Sequence, residues 1–121
     1  MIARLADAWA RLPGPPTARY PEGVPFTPAL ANGSMSVELY APGSNADGRD
    51  RQQPHAQDEL YVVLRGQATL QLNGQPLAAT PGDVLLVPAG APHHFEPFTA
   101  DFTTWVIFYG DPLISLQEST A

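Results

Sequence analysis

Gln53-Pro54-His55-Ala56-Gln57-Asp58-Glu59, which runs on through a strand-like stretch to Gly66, and Gly82-Asp83-Val84-Leu85-Leu86-Val87-Pro88-Ala89-Gly90-Ala91-Pro92-His93 carry nearly all the readable chemistry of this chain. They offer two imidazoles and one carboxylate, each at the start or end of a strand-like run. Neutral imidazole and ionised carboxylate suit a divalent cation, and three such donors leave positions open for water and a small molecule. Side chains alternate along extended backbone, so Gln53 and His55 point the same way. Glu59 follows after a bend at residues 56–58, and His93 opens a later strand after a proline–glycine loop. Antiparallel neighbours can bring His55, Glu59 and His93 together at one end of a barrel lumen. A carboxylate in so apolar a setting needs a charge partner, and a cation supplies one. Taken singly, each residue has a plainer explanation. A lone histidine in a β protein is more often a surface or hydrogen-bonded group than a ligand. Gly66, Gly82, Pro88 and Gly90 are ordinary turn residues. Their spacing is what makes them informative.

Around these stretches, from residue 34 onward, short β-type runs alternate with turn signals. Residues 34–41 alternate, with Met35, Val37, Leu39 and Ala41 on one face, and residues 42–51 read as a loop. Residues 59–65 form a strand that Gly66 breaks. Ala68, Leu70 and Leu72 lead into Asn73-Gly74, the strongest short hairpin signal, and residues 75–79 return. Residues 83–87, 93–98 and 103–109 are further strands. Seven or eight short strands with regular turns predict an all-β sandwich or barrel. Several runs are apolar on both faces, which fits a closed or two-layer fold with a subunit interface outside.

The N-terminal third is different. Ile2, Leu5, Trp9 and Leu12 recur at intervals of three and four, one apolar helix stripe that Pro13-Gly14-Pro15-Pro16 ends. Residues 13–33 hold six prolines and three glycines, which predicts an extended, ordered wrap with little regular structure. The expected organisation is a short helix and Pro-rich arm over 1–33 packed on the body, a barrel over 34–112, and a tail over 113–121.

Composition narrows the function. The chain of 121 residues carries a net charge of -6, and its six basic residues are all arginines, scattered along the sequence. With no basic stripe, neither nucleic acid nor an anionic membrane surface is expected as a partner. The absence of lysine excludes Schiff-base chemistry, and the absence of cysteine excludes thiolate nucleophiles, disulfides and cysteine-ligated metal. Any metal must be held by His, carboxylate or amide oxygen. No apolar run approaches the length that spans a bilayer, and the first residues lack a secretory layout, so a soluble cytoplasmic protein is the expectation.

The spacing of the two stretches resembles the cupin superfamily. Its first motif has a glycine, His-x-His, a short gap, Glu, six residues and Gly. Glu59 and Gly66 match the last pair, His55 falls on the second histidine, Gln53 stands at the first, and Gly48 lies one residue closer than the pattern expects. Its second motif has Gly, five residues, Pro-x-Gly, two residues, His, three residues and Asn. Gly82, Pro88, Gly90 and His93 fit without a gap, and Pro97 replaces the Asn. The resemblance implies a small antiparallel β-barrel of the jelly-roll type with a divalent metal (iron, manganese, nickel or zinc) held by His55, Glu59 and His93. Gln53 can bind through its amide oxygen, hydrogen-bond a bound water, or do neither.

Three functions compete at this stage. The first is a metal-dependent enzyme on a small organic molecule, with oxygenation ahead of isomerisation or decarboxylation, and with Tyr61 a base if its pKa is lowered. The second is a non-catalytic module that binds or senses a small molecule. The third is a metal-independent sugar isomerase or epimerase using His55 and Tyr61. His94 should point away from His93, and Gln57, Tyr61, Phe95 and Trp105 are candidates for the lumen, with Phe95 and Trp105 read as core. A homodimer is expected, because a one-stripe helix and two-sided strands must bury their apolar faces.

Overall fold

In the computed structural model, which describes residues 1–110, antiparallel strands form two sheets that face each other. In chain order the elements are α1 (Leu5–Trp9), β1 (Phe26–Asn32), β2 (Met35–Tyr40), β3 (Asp58–Arg65), β4 (Ala68–Leu72), β5 (Gln75–Ala79), β6 (Val84–Val87), β7 (His93–Phe98) and β8 (Thr103–Tyr109). The larger sheet runs β1-β2-β8-β3-β6 and the smaller runs β5-β4-β7. The predicted all-β jelly-roll barrel is therefore what the chain forms. The expected barrel limit at 112 and the tail 113–121 lie outside the described residues.

β3 sits between β8 and β6, with Tyr61 paired to Val106 on one side and to Leu85 on the other. Its alternation decides what the lumen contains: Glu59, Tyr61 and Val63 are buried, while Asp58 and Leu60 face out. Burying each apolar side chain of this size stabilises the fold by about 1.5–3 kcal/mol. The lumen floor is aromatic. Phe95 meets Tyr61 at 4.9 Å and Phe102 at 4.7 Å between ring centroids, contacts in tilted or edge-on geometry that the ring quadrupole favours.

Turn residues close the ladder as their chemistry requires. Asn73 and Gly74 both have positive φ, 51° and 78°, as a two-residue hairpin between β4 and β5 needs. Gly66 has φ 71°, and a Cβ there would lie 2.8 Å from Phe102 Cα. No other residue fits that site without moving the backbone.

Two parts of the N-terminal expectation change. Residues 26–32 are not a featureless wrap. They form β1, paired antiparallel to β2 from Phe26↔Tyr40 to Asn32↔Met35. Pro28 is accommodated because β1 is an edge strand whose register shifts between Pro28 and Leu30. The helix is also shorter than its stripe. α1 turns Leu5 and Ala8 toward β1 and β2, Leu12 lies half-buried beyond its end, and Ile2 and Trp9 stay exposed. Trp9 instead receives the Arg65 guanidinium over its ring at 5.1 Å. Beneath this cover Leu39 is fully buried on the outer face of the sheet. Trp105 pairs with Leu39 and Val62 on that same outer face and is only half-buried, so it is not lumen core. Among the described residues no helix is long and apolar enough to cross a membrane.

Candidate metal centre

His55, Glu59 and His93 converge. Each offers a ligand atom, and these atoms all lie within 4.8 Å of one another. Glu59 is the first lumen-facing residue of β3, His93 is the first residue of β7, and His55 comes from the loop that enters β3. Glu59 and His93 are buried, and His55 is about half-buried at the rim. Two hydrogen bonds hold the loops to each other, one backbone to backbone and one backbone to side chain. Gly90 N–H donates to His55 O at 2.8 Å, and Ala89 N–H donates to the Asp58 carboxylate at 2.8 Å. The proline–glycine loop before His93 is thus tied directly to the segment bearing His55.

The fit of a cation follows from donors and acceptors. His93 Nδ1 lies 2.8 Å from Ala91 O. A carbonyl can only accept, so Nδ1 carries the proton and the Nε2 lone pair faces the lumen. That Nε2 is 2.9 Å from Glu59 Oε2, and His55 Nε2 is 3.2 Å from Glu59 Oε1. Yet His93 Nε2 and Glu59 Oε1 are buried with no aligned hydrogen bond. Lone pairs aimed at one another from this range repel unless a proton or a cation lies between them. A divalent ion satisfies all three groups at once, and the donor set of two imidazoles and a carboxylate suits it. Without one, a proton takes its place. Burial acts to lower the pKa of His93, but the Glu59 carboxylate and the Ala91 carbonyl outweigh it, and the net shift is upward. At His55 burial prevails over the attraction of Glu59, so its pKa falls and the ring is neutral and ready to ligate.

A hydrogen-bond chain supports the carboxylate from behind. Tyr61 Oη lies 2.8 Å from Gln52 Oε1 and 3.2 Å from Glu59 Oε2. Gln52 Nε2 in turn donates to Asp50 at 2.6 Å. Asp50 also accepts from the Tyr40 hydroxyl, from Gln52 N–H at 3.1 Å and from Phe95 N–H at 2.7 Å. Burial, then the charges of Glu59 and Asp50, push the Tyr61 phenol well above its ordinary value. The condition under which Tyr61 becomes a base is therefore not met, and its hydroxyl is a proton donor.

Gln53, the residue at the first histidine position, is exposed and lines the cavity beside His55. The amide that is wired into the site is its neighbour Gln52. His94 faces outward as alternation requires, 3.1 Å from Glu96. Gln57 straps the entrance through Nε2 to Ser34 O at 3.0 Å and Gly110 O at 2.8 Å.

Beside His55 opens a cavity of about 420 Å³, lined also by Arg19, Arg51, Tyr20, Glu38, Gln53 and Phe108 among others. Glu38 was not visible as a site residue in sequence, because the alternation of β2 draws attention to its apolar face. The opposite face, Ser36, Glu38 and Tyr40, is the one that lines the cavity. Burial raises the pKa of Glu38, and the charge of Glu59 adds to that.

A small antiparallel barrel with a His/Glu/His group that meets a cavity at His55 is the architecture of a cupin. The family described as "Cupin domain" matches residues 36–104, and the chain belongs to it. An uncharacterised protein of Streptomyces coelicolor is 39% identical over 79 residues, 65% of this chain and 73% of that protein. Among solved structures, a cupin superfamily protein from Desulfitobacterium hafniense is 25% identical with a TM-score of 0.58, covering 71% of this chain and 76% of its own. A candidate mannose-6-phosphate isomerase from Ralstonia eutropha is 26% identical with a TM-score of 0.56, covering 71% of this chain and 82% of its own.

Proposed function

We propose that this cupin is a metal-dependent enzyme acting on a small organic molecule at His55, Glu59 and His93, through oxygenase-, isomerase- or lyase-type chemistry. The observation that carries this reading is the buried, unaligned approach of His93 Nε2 to Glu59. A divalent ion bound there supplies Lewis acidity toward an enol, carboxylate or hydroxy-ketone oxygen. The chain's own groups do the rest. Ala91 O fixes the His93 tautomer, and Gln52 and Glu59 hold the Tyr61 hydroxyl at the edge of the lumen with its proton in place. Glu38 presents a carboxyl to the cavity, and Phe108 makes edge contact with the His55 ring at 5.0 Å between centroids.

Titration of purified chain with iron(II), manganese, nickel and zinc at neutral pH tests the proposal. One ion per chain is expected, and His55→Ala or His93→Ala should each lower affinity by at least tenfold. Failure of all four ions to bind stoichiometrically ends it. A non-catalytic binding module separates from an enzyme in the same variants. A binder keeps part of its ligand affinity, whereas a metal enzyme loses turnover.

A further inference from the structure

The cavity beside His55 is chemically lopsided. The chain has six cationic side chains in a molecule of net charge -6, and two of them, Arg19 and Arg51, line this one cavity. They are not equivalent. Arg51 is committed to the fold: Nη2 meets Glu22 at 2.6 Å, Nε meets Asp47 at 3.1 Å, Nη1 donates to Arg19 O at 2.7 Å, and the guanidinium lies 5.1 Å from the Tyr20 ring centroid. Arg19 donates through Nη2 to Arg51 O and has no carboxylate within 4.0 Å among the described residues. A guanidinium has five N–H donors in a planar fork that matches a carboxylate edge-on. Arg19, itself exposed, therefore brings a guanidinium with no direct carboxylate partner among the described residues, and with spare donors, to the cavity rim.

The remaining lining fixes what the charge can recognise. Tyr20, Phe26, Val106 and Phe108 give an apolar wall. The one carboxyl lining the cavity, Glu38, is half-buried on the β2 wall, across from the arginines contributed by the N-terminal arm and the segment before β3. One guanidinium balances one negative charge. A dianion would leave its second charge without a cation of its own, since Arg51 is already engaged by Glu22 and Asp47.

We propose that this cavity binds a small monocarboxylic acid with an apolar body, its carboxylate on Arg19 and its apolar part against Tyr20, Phe26 and Phe108 beside the metal centre. This deepens the metal-enzyme reading and rests on it for the chemistry, though not for the binding.

The test is calorimetric titration of the full chain, zinc-loaded and metal-free, with 3-phenylpropanoate, 3-phenylpropanamide and phenyl phosphate. The carboxylate should bind at least tenfold tighter than the amide. Arg19→Gln should remove that preference in both metal states while amide affinity and zinc stoichiometry stay within twofold. Arg19→Lys, which keeps the charge, should restore part of it, and unchanged unfolding midpoints show that both variants fold. Equal binding of acid and amide, binding of neither, preference for phenyl phosphate, or a preference that survives Arg19→Gln each overturns the proposal. Zinc uptake is scored separately. A chain that takes no zinc but keeps an Arg19-dependent preference for the acid sinks the metal reading alone.

Discussion

His93 is where proton and metal compete for one lone pair. Its pKa lies above the ordinary 6.5 because Glu59 and Ala91 outweigh the cost of burial. Only the neutral ring ligates, so each metal ion that binds below that raised pKa must displace a proton. Apparent metal affinity should therefore climb as pH rises from 6 through the raised pKa and level off above it, with proton release measurable by titration in buffers of different ionisation enthalpy. An affinity flat across that range contradicts the assignment of Nε2 as a ligand. At this scale His55, Glu59 and His93 were legible because their spacing is set by two local blocks of sequence. Gln52, Asp50 and Glu38 were not. Gln52 sits one residue from the position that looked important, and Asp50 acts through partners 10 and 45 residues away. Glu38 lies on the polar side of a strand, and polar alternation ordinarily signals solvent. In a barrel whose lumen opens on a cavity that rule inverts.

Among the elements, the segment between β2 and β3 has little regular structure, a single 3-10 turn at Pro42–Ser44, and carries His55. Asp50 fastens it by accepting from Tyr40 on β2, from Phe95 on β7 and from Gln52 within the segment. Asp50→Ala leaves those donors without a partner, and the expected loss of stability is about 2–4 kcal/mol in urea unfolding of the metal-free chain. Metal affinity should fall as well, since His55 follows on the same segment. A loss under 1 kcal/mol would show that water replaces the carboxylate. β1 escaped sequence reading for a related reason. Pro25 and Pro28 argue against a strand, but a prolyl residue is harmless where an edge strand's missing N–H faces no partner. The hairpin at Asn73-Gly74 was legible because its turn chemistry is entirely local.

For the whole molecule, the outer face of the large sheet is unevenly covered. α1 shelters the β1–β2 side, while Leu60, Val84 and Leu86 on β3 and β6 remain exposed beside the free edge of β6. Leu60 pairs with Leu86 and Val62 with Val84, so the exposed side chains form one apolar strip. An edge strand bearing such a strip pairs readily with a second copy of itself about a twofold axis. The expectation is a homodimer, seen as twice the chain mass in light scattering. Leu86→Glu should convert it to monomer without loss of metal binding. Wild-type protein that is monomeric at 100-fold dilution and at high concentration alike would dismiss it.

Gly90 N–H and Ala89 N–H lie outside any strand, yet both are engaged with the segment that carries His55 and Asp58. Loop amides ordinarily trade deuterium within seconds, because little has to open. These two trade when the hydrogen bonds between the proline–glycine loop and the segment bearing His55 and Asp58 open. Their isotope uptake should be slow in the metal-free chain and slower still once zinc is bound, which makes them resident clocks for the opening of the lumen.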